Sequence, residues 1–402
     1  MHWIDVALPA TGTCPESDRL LTRAGALLDT LEQLQEQHGI DAPVVTARMA
    51  EVGHLLFRAI TAGDATAFHP GPDAGGDVAY HVNVTEDLAG LPWHWLHNGM
   101  NFLLEQHPVT AGVLSARIPE ADPPRPWMQR HSDALFGADE GADERAVPEI
   151  LFVPGHGREE IRRLMHREAD GIDAALDTAG DGGARLRVPG AVTPGLLAAR
   201  AMLYQALHFA APTSQPPEVS GAGENRWLAS LMAAAGHPDA DEVDDLVGAD
   251  LEIVGVDPVE AALDQAMEAY ERRGLRQPVG AGAPATGDGW MLEDGPVCPE
   301  QLGQGGCLPP LVFSNSWCSL SWLGQRFLEA GASTFVGTSA AVYSRPARQF
   351  AARFYGFLGD GRCVGDAHRR AALALRDQLG AEHPAWLCHG VQGYGCLRLA
   401  DL

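Results

Sequence analysis

Leu308-Pro309-Pro310-Leu311-Val312-Phe313-Ser314-Asn315-Ser316-Trp317-Cys318 is the stretch on which the fold turns. A short apolar run bounded by prolines has the length and composition of a strand buried on both faces, as in a parallel sheet. Its carboxyl end delivers Ser314 to Ser319, a thiol among hydroxyls, to the sheet edge where open α/β folds place their chemistry. An amphipathic helix on Leu320, Leu323, Phe327 and Leu328 follows, then the turn Gly331-Ala332 and a second strand, Thr334 to Gly337. Strand, cysteine-bearing loop, helix and strand form a unit that can present a nucleophile.

The same alternation extends outward. Upstream, Glu149 to Val153 reads as a strand, Pro154-Gly155-His156-Gly157 as a turn and Arg158 to Leu176 as an amphipathic helix. A strand at Ala184 to Val188, a helix at Pro194 to Tyr204 and a strand at Ala206 to Ala210 continue it. Downstream come helices over Arg345 to Leu358 and Val364 to Leu379, with a closing strand within Ala385 to Leu397. The expected fold is α/β, an open and mostly parallel sheet flanked by helices over residues 147–402. A smaller α/β half precedes it in residues 1–120: helical spacing over 19–36 and Val44 to Ile60, and a strand at Tyr80 to Val84. Residues 121–146, rich in Pro, Asp, Gly and Glu, read as a linker. Residues 213–288 read as an insertion, with Pro216-Pro217, Gly221-Ala222-Gly223 and an acidic run from Asp239 to Asp250.

The chain carries 28 basic against 53 acidic residues, a formal charge of −25, and every basic residue is arginine. An acidic surface repels nucleic acid and anionic membrane, so neither is an expected partner. No apolar run approaches the roughly 18–20 residues of a membrane span. The start, Met1-His2-Trp3-Ile4-Asp5, has no basic region followed by an apolar one, and the seven cysteines form no Cys-x-x-Cys pair. Reduced thiols in the cytoplasm are the expectation, with no cofactor and no metal.

Several segments in order resemble the CHAT domain, a member of the caspase-like cysteine peptidase clan that includes separase-type proteases. They are Leu91-Pro92-Trp93-His94-Trp95-Leu96-His97-Asn98-Gly99, Leu207-His208-Phe209-Ala210-Ala211, Pro310 to Ser316, and Phe327-Leu328-Glu329-Ala330-Gly331-Ala332. The helix Phe350-Ala351-Ala352-Arg353-Phe354-Tyr355, Val364-Gly365-Asp366-Ala367 and Pro384-Ala385-Trp386 complete the set. The resemblance implies a caspase-like sheet and a Cys-His dyad, in which an imidazole makes the thiolate and later protonates the leaving amine.

At both dyad positions this chain departs from the family pattern. The histidine strand, usually His-Phe-x-Gly-His-Gly, reads His208-Phe209-Ala210-Ala211-Pro212-Thr213, which puts Pro212 where the base belongs. The cysteine strand, usually ending Asn-x-Cys, reads Asn315-Ser316-Trp317-Cys318, which puts Trp317 in the nucleophile's place and Cys318 one residue late. One residue of shift in an extended segment reverses the face a side chain takes, unless a bulge restores it. His94 stands where the family tends to carry Glu. The expected function is therefore a catalytically degenerate pseudopeptidase that binds protein, as adaptor, regulator or protease substrate in a bacterial stress or defence system. The alternative is an active cysteine endopeptidase with Cys318 as nucleophile and His208 or His156 as base, acting on a polypeptide substrate. Each residue also has a plainer reading: Cys318 as a small residue of a decayed site, His208 as a hydrogen-bonded core residue, His156 as part of a turn. Cys388-His389 and Cys396 lack the paired spacing of metal ligands and read as core residues.

Overall fold

The computed structural model describes residues 1–69, 77–113, 147–155, 159–179, 184–190, 192–210, 289–292, 295–303 and 308–401. The linker at 121–146, the insertion at 213–288, His156 and Pro212 lie outside the described residues.

In the first third, strand β1 (His2–Ala7) leads into helices α1 (Pro15–Leu28), α2 (Leu31–His38) and α3 (Pro43–Thr61). Strand β2 (Val78–Val84), a 3-10 turn at Trp93–Trp95, the short helix α4 (Leu103–Gln106) and strand β3 (Val109–Val113) follow. One helix is expected over 19–36, and the structure breaks it at Asp29-Thr30. The Thr30 hydroxyl donates to Leu27 O at 2.8 Å and accepts from Arg48 Nη1, side-chain bonds that compete with helix continuation.

The second stretch opens with β4 (Glu149–Val153), α5 (Glu159–Thr178), β5 (Arg185–Arg187), α6 (Pro194–Arg200) and β6 (Ala206–Phe209). The hairpin β7 (Trp290–Leu292) and β8 (Gly295–Val297) and helix α7 (Pro299–Gly303) precede β9 (Leu311–Ser314). Helices α8 (Ser319–Trp322) and α9 (Gly324–Glu329) lead to β10 (Thr334–Thr338), and α10 (Ser344–Gly359) and α11 (Val364–Leu379) follow. The chain closes on one helical turn, α12 (Ala385–Cys388), and β11 (His389–Gly393).

Among the described residues the strands form a nine-stranded sheet in the order β1-β2-β3-β11-β10-β9-β6-β4-β5, apart from the β7-β8 hairpin. Every pairing in it is parallel except β10 with β11. The expected α/β class with an open, mostly parallel sheet flanked by helices is what the chain forms, and this arrangement is consistent with a caspase-like sheet. The strands β6, β9 and β10 are buried throughout, as strands covered on both faces must be.

The strands of residues 1–113 belong to the same sheet as the rest. β11 pairs parallel with β3 and antiparallel with β10, so it joins β1–β3 to the rest in one sheet. Neither β1 nor β3 is evident from the sequence alone. As an edge strand β1 is mostly exposed or half-buried, and β3 contains only five residues with Gly112 among them.

Two apolar layers cover the sheet. One holds Phe152, Ile172, Phe313, Phe350, Phe354, Ala371 and Leu375, and gathers α3, α5, α10 and α11 on one face. The other holds Val153, Leu207, Phe209, Val312, Phe335, Trp290 and Phe327, and puts α6, α7, α9 and the hairpin on the opposite face. Along β4, β6, β9 and β10 residues alternate between these layers, as the two-residue period requires.

Candidate functional site

Because β11 runs against β10, its amino end lies beside their neighbours' carboxyl ends. His389 pairs with Thr338, while Ser314 at the end of β9 pairs with Phe209 at the end of β6. One sheet edge thus collects Asn315 to Cys318, Thr338-Ser339, Ala210 and His389.

Cys318 sits at the apex of the turn between β9 and α8, at φ 54° and ψ 18°. Among the described residues it is the non-glycine with positive φ. A left-handed residue between a strand and a helix makes a sharp reversal, and Cys318 as a whole residue is exposed. Bonds to β10 hold the turn. The Ser319 hydroxyl donates to Ser314 O at 3.3 Å and accepts from Thr338 N at 3.2 Å, and Thr338 Oγ1 donates to Ser316 O at 2.6 Å. Trp317 is half-buried against the helical layer, its Nε1 donating to Val342 O at 2.8 Å. From the amino-terminal third, Gln35 of α2 reaches the loop after β10, its Nε2 donating to Ala341 O at 3.0 Å.

Among the described residues Cys318 Sγ has no hydrogen-bond partner, and no described imidazole lies within bonding reach of it. Although the residue is exposed by surface area, surrounding protein desolvates the thiol. That desolvation, with the Glu32 carboxylate, pushes it up to about 12, so the thiolate is scarce at neutral pH.

His208 stands elsewhere. Cross-strand register places it between Phe152 of β4 and Phe313 of β9, and the three rings stack, with centroids 5.1 and 4.7 Å from the imidazole. The residue is fully buried, with Nε2–H donating to Glu168 Oε1 at 2.8 Å and Nδ1 meeting the Tyr355 hydroxyl at 3.3 Å. The structure does not bring His208 to Cys318. It brings His208 instead into a polar chain that the sequence reading missed. Glu168 of α5 also accepts from Asn315 Nδ2, and Asn315 Oδ1 accepts from His389 Nε2 at 2.8 Å. Tyr355, His208, Glu168, Asn315 and His389 thereby link α10, β6, α5, the turn after β9 and β11. Burial, then the Glu168 carboxylate, raises the Tyr355 phenol well above its ordinary value. The sequence does hold a signal for Glu168: it interrupts the stripe Met165, Ala169, Ile172, Leu176, where a charge has to be paired.

His94 is buried too, with Nε2–H donating to Leu387 O at 2.9 Å and lying 3.4 Å from Ser339 Oγ. Desolvation, with His368 beside it, lowers it to about 3. Cys388 and His389 are core residues and Cys396 is exposed. Among the described residues no three His, Cys, Asp or Glu are grouped as metal ligands, and no helix is long and apolar enough to cross a membrane. No family model matches the chain, and no curated protein matches it.

Proposed function

We propose that this chain is a CHAT-type pseudopeptidase that keeps a caspase-like sheet for binding protein and does not hydrolyse peptides. One observation carries the reading: the Cys318 thiol lacks an imidazole among the described residues, while the histidine of β6 has both ring nitrogens engaged by Tyr355 and Glu168. A thiol without a base is a poor nucleophile at neutral pH. The replacement of family positions by Pro212 and Trp317 supports the same reading. In this account the protein acts in the cytoplasm as adaptor, regulator or protease substrate in a bacterial stress or defence system, with protein partners rather than nucleic acid. Incubation with a peptide library and with an electrophilic peptide probe tests it. No turnover and no labelling at Cys318 are expected; cleavage together with labelling there would overturn it.

One observation favours the second reading, an active endopeptidase. Cys318 is exposed and left-handed on a strand-to-helix turn at the sheet's carboxyl edge, a geometry that suits a nucleophile. On that reading Cys318→Ala abolishes turnover while thermal unfolding stays intact, and unchanged turnover rejects it.

A further inference from the structure

Three imidazoles gather at the amino end of β11, and the proposed function uses none of them. His94, His368 and His389 are each at most 2 % exposed. His94 and His368 meet edge to face with centroids 6.3 Å apart, and Phe350 stacks on His389 at 3.9 Å and edges against His368 at 5.6 Å. Every Nε2 faces an oxygen that only accepts: Leu387 O for His94, His389 O at 2.8 Å for His368, and Asn315 Oδ1 for His389. The Asn315 amide cannot turn over, because its Nδ2 must donate to the Glu168 carboxylate. All three rings are therefore held as the neutral Nε2–H tautomer. The Nδ1 atoms of His368 and His389 are buried without a hydrogen-bond partner. A second proton on either ring would find no acceptor and would stand in an apolar layer.

The other polar groups facing the cluster do little to hold such a charge. Ser339 Oγ touches His94, His208 lies along the sheet with Tyr355 beyond it, and Glu168 is separated from His389 by Asn315. On α11 the charged neighbours are engaged elsewhere, Asp366 with Arg370 and Arg362, and Arg369 with Glu105 O.

We propose that His94, His368 and His389 form an acid-sensitive latch: a second proton at an Nδ1 that has no acceptor drives the charged ring out of the apolar layer, which pulls His389 away from Asn315 and loosens both β11 and the Cys318 turn. Burial is the leading cause holding all three rings below their ordinary range, with neighbouring imidazoles adding to it for His94 and His389. The cluster therefore charges only in acid.

Amide hydrogen exchange of the full chain, corrected for intrinsic rate, tests the latch between about pH 7.5 and about pH 4. Protection over 314–319 and 389–393 is expected to fall at least about tenfold, the change that one unit of proton linkage produces, while 149–153 stays protected. The variant H368Q/H389Q keeps both amide donors and cannot titrate, so it is expected to hold its protection in acid. The unmodified protein supplies an independent measurement, hydrogen exchange at the imidazole C2 positions. C2 titration of His368 and His389 well below the ordinary histidine range, together with the loss of protection in acid, supports the latch. Unchanged protection in acid, simultaneous loss over 149–153, or C2 titration at the ordinary histidine range would each overturn it.

Discussion

At Cys318 the backbone takes a conformation that costs an L-residue about 1–2 kcal/mol and costs glycine nothing. Cys318→Gly is therefore expected to stabilise the protein by about 1 kcal/mol in urea unfolding, and a β-branched substitution such as Cys318→Val to destabilise it. Glu168 presents the opposite case, a buried carboxylate that two donors need. Glu168→Ala leaves His208 Nε2–H without an acceptor and the Asn315 amide with only the long 3.4 Å bond to Ala347 O, and is expected to cost about 2–4 kcal/mol by chemical denaturation. A loss below about 1 kcal/mol would mean that the polar chain contributes no more than an ordinary neutral hydrogen bond.

Between elements, the approach of α5 to α10 depends on small residues. A Cβ on Gly359 would lie 2.7 Å from Ala179 Cβ, and Gly171 and Gly356 face Ala352 and Ala175. The two helices cover the polar chain from above, since α5 supplies Glu168 and α10 supplies Tyr355. Gly359→Val is expected to lower stability by about 2 kcal/mol through overpacking, measured as a shift in the denaturation midpoint at unchanged slope. At the other end of the layer, Gly390 leaves room for the His94 ring, and a Cβ there would also come within 2.7 Å of Leu320 Cδ2. Close backbone approach, not turn geometry, explains these glycines. Sequence reading cannot distinguish the two, because the residue that forbids a side chain lies on another element.

For the whole molecule, pH and salt act through burial and net charge. His94, His368 and His389 bind a proton more weakly folded than unfolded, where the ordinary value is 6.5. Below that value the unfolded chain holds more protons, so acid favours unfolding. The stability contributed by keeping these rings neutral is complete above about pH 6.5 and is lost progressively toward about pH 4, where His368 would charge in the fold. Thermal unfolding midpoints between those limits should fall steeply in the wild type and less steeply in H368Q/H389Q. A formal charge of −25 also makes the compact state self-repelling. Shortening the Debye length from about 30 Å to about 8 Å with neutral salt should therefore raise the melting temperature.

Period and punctuation in the sequence determined the strand from Leu311, the helices at 44–60 and 364–379 and the α/β class, since alternation and helical spacing are local properties of a chain that must bury one face. They also located Cys318 at a strand's carboxyl end. Only the tertiary structure decided that β11 turns antiparallel and joins both parts into one sheet, because pairing partners are chosen by packing between distant segments. It likewise decided which histidine meets which carboxylate. His208 and Glu168 lie 40 residues apart and Asn315 and His389 lie 74 apart, so their contacts arise from register and helix packing that no local spacing encodes.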